Sequence, residues 1–205
     1  EYFFMTQTQK THRLAVAAML TAVAAVLQFV EFAIPLMPSF IKLDISDLPA
    51  LLGTFSLGPV YGVAIQLAKN LLHLPFGSSA GVGELSNFIL GAVFVFVAGI
   101  IYKHNKSRKS ALVGSVAGAA AMALVSIVTN YFIVYPAYVV LYKLPLEAIV
   151  GMYEAILGGV SHVPTQNALL NCLLVFNVPF TLVKGLLDTA LCFLIYKPLS
   201  PLLHR

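Results

Sequence analysis

Four polar residues recur at i, i+4, i+7 and i+11 in the last apolar stretch of the chain: Asn177, Thr181, Lys184 and Asp188. At 3.6 residues per turn this spacing draws one stripe along a helix. An amide, a hydroxyl, an ammonium and a carboxylate in line suit two kinds of chemistry. Asn both donates and accepts, and Lys donates, so the stripe can recognise a polar solute. Lys184 and Asp188, four residues apart, can instead pair with each other or act as a proton-coupled pair. Lys before Asp is the less favourable order for such a pair on a helix. Pro179 lies within the stripe, removes one backbone donor and predicts a local irregularity.

The helix that must carry these groups spans residues 168–196 and is otherwise almost wholly hydrophobic. A lysine inside such a segment is costly unless it faces protein, water or a solute. Lys184 lies roughly 20 Å along the axis from Lys197, too deep to snorkel easily. It is therefore expected to point into a solute pocket, with self-pairing to Asp188 as the alternative.

Composition sets the surroundings. The 205 residues are 60% hydrophobic and 10% charged, against roughly 25% charged in a soluble domain. The chain reads as an all-α integral membrane protein of the cell membrane, embedded in the lipid bilayer. Its net charge of +4 is small, and the basic residues sit at the ends of apolar segments as topology signals do. No nucleic-acid partner is implied. Cys172 and Cys192 fall on one helix, roughly 30 Å apart, which excludes a disulfide between them. Residues 1–9 read as an appended, unstructured N-terminus, with a tag before Met5, and residues 10–205 as one membrane domain. The first apolar stretch, after His12 and Arg13, reads as a retained helix rather than a signal peptide. No P-loop, zinc-binding His-Glu-x-x-His or nucleophile elbow occurs, so no enzyme activity, catalytic residue, metal site or cofactor is expected.

Five apolar stretches are visible, but the second contains Ser56-Leu57-Gly58-Pro59, and Gly-Pro is a break signal. Charge decides the count. Basic residues cluster at the N-terminus (Lys10, Arg13), at residues 103–109 and at the C-terminus (Lys197, Arg205). The positive-inside rule puts all three on the cytoplasmic side only if the second stretch crosses twice. Six helices are thus predicted, at about 12–34, 47–57, 59–74, 84–103, 110–135 and 168–197, with both termini cytoplasmic. The outer loops become 35–47, 75–83 and 136–167, and residues 145–157 could form an interfacial helix.

Further polar groups share the depth of the stripe's outer end. They are Asn130 and Tyr131 on the fifth helix, Asn167 and Asn171 at the start of the sixth, and Glu84 and Asn87 at the start of the fourth. Together they suit a neutral ligand with amide-like edges; singly, each is as well explained by hydrogen bonds between helices. Gln66, Lys69, Asn70 and His73 polarise the third helix and read as structural, with Lys69 and His73 snorkelling outward. Gly114 and Gly118 read as internal packing contacts. On the first helix, Ala17, Thr21 and Ala25 form one line of small residues and Ala18 and Ala22 the next. Spacing alone does not say which line faces inward.

The alanine-rich first helix (residues 15–22), Asp44-Ile45-Ser46-Asp47-Leu48-Pro49, Leu57-Gly58-Pro59-Val60-Tyr61-Gly62 and the polar last helix with Asn177, Thr181 and Lys184 together resemble a known family. It is the substrate-binding S components of energy-coupling factor (ECF) vitamin transporters, and the likeness is closest to riboflavin-binding members. The resemblance implies six helices and a solute held near the outer face, under the first outer loop. It implies riboflavin as the transported ligand, with Lys184, Thr181, Asn177, Asn130, Asn171, Asn87, Glu84 and Asp47 as candidate contacts and Phe40 as a candidate lid. It implies Asp188 as the partner that keeps Lys184 charged and aimed. It also implies that Ala18 and Ala22 dock a transmembrane T component, which carries two ATPase subunits.

Overall fold

The computed structural model describes residues 7–35, 37–38, 41–77, 79–156 and 168–203, with the backbone alone for 196–203. Helix α1 (Gln7–Phe29) is followed by a small antiparallel pair, β1 (Phe32–Ala33) and β2 (Lys42–Leu43). Then come α2 (Asp47–Leu57), α3 (Pro59–His73), α4 (Val82–His104), α5 (Arg108–Thr129), α6 (Tyr135–Tyr142), α7 (Leu146–Ile156), α8 (Ala168–Cys172) and α9 (Val178–Leu203). A π-helical turn, Asn130–Val134, joins α5 to α6, and a second, Leu173–Asn177, joins α8 to α9.

Among the described residues, four helices are long and apolar enough to cross a membrane: Gln7–Phe29, Val82–His104, Arg108–Tyr142 and Ala168–Ile195. α2 and α3 are shorter and meet at Gly58, whose φ of +111° suits only glycine. Pro59 then opens α3 at a position where its missing N–H costs nothing. Thr54 meets Gly62, Gly53 meets Ile65, and Asp47 meets Gln66 and Lys69. As position rises on α2 it falls on α3, so the two form an antiparallel hairpin. The Gly58-Pro59 break therefore reverses the chain, as expected.

The structure corrects several boundaries. α1 starts at Gln7, inside the stretch read as an unstructured terminus, and stops at Phe29 rather than near residue 34. The chain then turns into the β1–β2 pair, which Lys42 and Glu31 close with an exposed ion pair. The fifth helix does not end at Tyr135 but runs on to Tyr142 through Pro136. The π-turn explains how. Proline lacks an N–H and its ring presses on the carbonyl four residues back. The turn before it widens to an i+5 bond, from Tyr135 N–H to Asn130 C=O, which relieves both problems. The same device precedes Pro179, with Val178 N–H bonded to Leu173 C=O. Residues 146–156 are helical, close to the expected 145–157.

The bundle is inside out relative to a soluble protein. Leu14, Val26, Val60, Leu124, Phe132, Val140 and Leu194 stand on the surface. Gln66, Lys69, Asn130, Asn177, Lys184 and Asp188 are buried. An apolar exterior is what a lipid solvent selects, and polar groups then collect within. One apolar cluster joins α1, α2, α3, α4, α5 and α9 around Leu20, Leu51, Phe94, Ala119 and Cys192. A second joins Val82, Tyr135, Ile149, Tyr153 and Leu173 under the α6–α8 region. Both cysteines are buried and free.

Gly114 and Gly118 are packing contacts, as read. A Cβ on Gly118 would sit 2.5 Å from the Phe94 carbonyl oxygen, and one on Gly114 2.8 Å from that of Ala98. Both obstacles are backbone, so α4 would have to move. Gly118→Val is expected to lower stability by several kcal/mol, at the upper end of overpacking costs of about 1–3 kcal/mol. Gly151→Ala is the control, because nothing lies within 4 Å of its added Cβ. It should be neutral or stabilising by about 0.5–1 kcal/mol. Thermal unfolding of both variants in one detergent checks the pair.

Candidate solute-binding site

A cavity of about 350 Å³ opens between the two apolar clusters. The π-turn before α9 presents Asn177 to it and α9 presents Phe180, Thr181 and Lys184, following the stripe foreseen in the sequence. The π-turn after α5 presents Asn130, and α6 adds Tyr135 and Tyr138. Glu84 and Asn87 reach it from α4, Asp44 from the loop before α2 and Asp47 from the start of α2. Seven of the nine proposed contacts thus meet in one space. Asn171 does not line it: it was grouped by depth along the helix, and it faces a different direction from Asn177, six residues on. Phe40 lies outside the described residues, as does Asn167.

Lys184 is anchored from across the fold. Its ammonium donates to Asp44 Oδ2 at 2.9 Å and to Asn87 Oδ1 at 3.3 Å, and lies 3.2 Å from Asp47 Oδ2. This corrects the expectation that Asp188 holds it. Neither oxygen of Asp188 has a hydrogen-bond partner. An i, i+4 pair in this order is weak, and two carboxylates delivered by the α2 start outcompete it. Burial pushes the Asp44 carboxyl up, but Lys184 and Lys69 outweigh it and hold it below its ordinary range.

Lys69 is also not what the sequence suggested. It is fully buried rather than snorkelling, and donates to Asp47 Oδ1 at 2.5 Å and Ser46 Oγ at 2.6 Å. Gln66 Nε2 donates to the same Asp47 oxygen at 2.9 Å. Asn70 accepts from Gln28 Nε2 at 3.0 Å, tying α3 to α1. His73 is not snorkelling either; its Nδ1 lies 3.0 Å from Glu84 Oε1, and Ser79 donates to Glu84 Oε2 at 2.8 Å. The structural reading of this helix face was sound, but its reason was wrong: the face turns inward onto α1, α2 and α4.

These bonds sort the candidates. Both Glu84 oxygens are engaged within the protein. Asn177 Oδ1 accepts from Tyr153 at 2.6 Å, and its Nδ2 donates to Tyr135 Oη at 3.2 Å. The two tyrosine hydroxyls also bond each other. One Asn177 N–H is left over. Asn130 and Thr181 make no side-chain hydrogen bond among the described residues and border the cavity, so they are free to meet a solute. Phe29, Phe76, Tyr138 and Phe180 supply flat walls.

Asp44, Tyr135 and Tyr153 are the important residues that spacing missed. Asp44 had a signal, since it stands in the Asp-Ile-Ser-Asp segment singled out above. Tyr153 had none: it reaches Asn177 from a separate helix, α7.

On α1 the two small-residue lines separate. Ala17 and Ala25 are buried, whereas Ala18 and Ala22 are exposed beside Met19, Val23 and Val26.

An apolar bundle enclosing a polar cavity is the build of a membrane-embedded solute-binding protein. Residues 12–196 match the family described as ECF transporter, substrate-specific component, and the chain belongs to that family. Its members are multi-pass membrane transport subunits, not enzymes. The chain is 34% identical to the riboflavin transporter RibU of Staphylococcus aureus (strain TCH60), over 96% of this chain and 95% of that one. It is 30% identical to the riboflavin transporter FmnP of Bacillus subtilis (strain 168), over 96% of each. A solved structure of the S component of a bacterial ECF transporter matches with a TM-score of 0.72 at 34% identity, covering 96% of this chain and 99% of that one.

Proposed function

We propose that the chain captures riboflavin with high affinity from the outer face of the cell membrane, for an ATP-driven ECF uptake complex. The observation that carries this is the convergence of Asn130, Thr181, Asn87 and the Lys184 ammonium on one aromatic-walled cavity. Riboflavin's ring has one edge of carbonyls and an N–H, an apolar dimethyl edge and a polyol tail. Amides that donate and accept suit the first edge, and the ammonium can donate to a carbonyl. The walls suit the flat ring, and the relatives' names point the same way. Purified without added ligand, the chain is expected to be yellow, with flavin absorbance approaching one per chain. A colourless sample that also fails to take up riboflavin when it is added would contradict the proposal.

The chain is proposed to cross the membrane six times, with both ends cytoplasmic. The antiparallel α2–α3 hairpin supports this, since two crossings by this stretch require the chain to reverse at Gly58-Pro59. The cavity then opens outward, and the exposed basic turn at residues 103–109 lies inside.

Ala18 and Ala22 are proposed to dock the T component, whose two ATPases supply the energy. Their exposure supports this, because small residues let a partner helix approach closely. Ala18→Leu with Ala22→Leu should leave riboflavin affinity unchanged and abolish co-purification with the T component. Retained co-purification would place the contact elsewhere. The rival reading, a self-sufficient proton-coupled carrier, needs a Lys184–Asp188 pair, and Lys184 is bonded elsewhere.

A further inference from the structure

The chain has three aspartates, Asp44, Asp47 and Asp188. All three are buried in one cluster with two buried lysines, Lys69 and Lys184. Lys184 serves Asp44 and Asp47, and Lys69 serves Asp47. Asp188, at 0% exposure, is left with neither oxygen hydrogen-bonded. Asp47 Oδ2 also lacks a hydrogen-bond donor of good geometry. The charged groups that act on Asp188 are Asp47 from α2, Lys184 from its own helix, Asp44 from the loop before α2, and Lys69 from α3. Cys192 stands one turn further along α9. α5, which packs along α9, carries its only charged residues, Arg108 and Lys109, at its exposed start.

Full ionisation would set three negative charges against two positive ones, with the surplus on the carboxylate that has no donor. A buried, unpaired and unbonded carboxylate is the least tolerable state for such a group. Among the described residues, the fully buried side-chain atoms without a hydrogen-bond partner are all acceptors. What the cluster lacks is a positive hydrogen.

We propose that Asp188 is a proton-binding site: its carboxyl carries a resident proton that brings the buried cluster beneath the cavity to charge balance. Hydronium in the adjoining water supplies the proton: one of its O–H bonds breaks, the carboxyl O–H bond forms, and a water molecule is released. The acid then adds a donor where the fully buried atoms without a partner are acceptors. It also keeps Lys184 committed to Asp44 and Asp47, and so aimed at the cavity. Losing the proton would place a competing negative charge one turn deeper on α9 and draw the ammonium away. This proposal does not depend on which solute is bound.

The test is infrared spectroscopy of the full chain with carboxyl-labelled (carbon-13) aspartate. The label reports on this cluster alone, since the chain has no other aspartate. At neutral pH we expect one labelled band in the protonated-carboxyl region, shifted in heavy water and absent from Asp188→Asn, with the other two as carboxylates. A band that survives in Asp188→Asn would put the proton on Asp44 or Asp47 and overturn the assignment. Three labelled carboxylates in the unsubstituted chain would overturn it whether or not the variant folds. They would point to a bound monovalent cation, read as sodium-dependent shifts of the same bands.

Discussion

Lys184→Ala should weaken riboflavin capture by roughly 10- to 100-fold or more and weaken the fold together. The side chain is nearly buried and serves Asp44, Asp47 and Asn87 at once. Deleting it leaves buried carboxylates short of a counter-charge, a loss that typically costs about 3–5 kcal/mol. It also removes the one cation that reaches the cavity from α9. A hydrogen bond from a charged donor is worth about 1.5–3 kcal/mol, so affinity should fall by roughly 10- to 100-fold from that contact alone. Displaced Asp44 and Asn87 should deepen the loss. The two effects separate in Lys184→Met combined with Asp44→Asn, which removes one charge of each sign. The double variant should recover much of the thermal stability and none of the affinity. If it binds riboflavin like the parent, Lys184 is a structural cation and not a ligand contact.

Lys69→Met should cost comparable stability by a different route. Lys69 is 0% exposed and bonds Asp47 and Ser46 across the α2–α3 hairpin. Methionine keeps the stem's volume and removes the charge, so the penalty is electrostatic rather than a cavity. About 3–5 kcal/mol is again the expected scale, because Asp47 loses its shortest partner. Lys69 does not border the cavity, however. Protein that remains folded should therefore bind riboflavin within about tenfold of the parent, a shift of about 1.4 kcal/mol. Unfolding midpoint and affinity, measured on one preparation, distinguish this profile from that of Lys184→Ala. Equal collapse of affinity in both would mean that the whole ion cluster, and not Lys184, forms the ligand contact.

The contrast between these lysines shows where the sequence was readable. Periodicity found Asn177, Thr181 and Lys184 on one face, because a stripe on one helix is a local property. Gly58-Pro59 marked the hairpin, because a positive φ followed by a missing N–H is local too. Pro179 signalled its π-turn. Pro136 was misread as a loop start, since the widened turn that accommodates it leaves no mark in residue types. The partners of Lys184 and Lys69 were not readable. Asp44 lies 140 positions from Lys184, and no spacing rule reaches across that distance. With the true partner out of sight, Asp188 was credited with the pairing because it was near in sequence. The β1–β2 pair was equally hidden, since two residues per strand cannot show alternation. Asn171 stays outside the cavity for a plainer reason: it shares the depth of the site along the helix but not the angle around it.

We propose that this bundle holds a single riboflavin site in the cavity between α4, the α5–α6 turn and α9. Titration of the ligand-free chain with riboflavin, followed by flavin fluorescence quenching, tests it most directly, with thiamine and biotin as competitors. Saturable binding at one site per chain is expected, undiminished by either competitor and weakened by Asn130→Ala. Absence of saturable riboflavin binding, displacement by an unrelated vitamin, or full affinity in both Asn130→Ala and the Lys184→Met, Asp44→Asn double variant would contradict it.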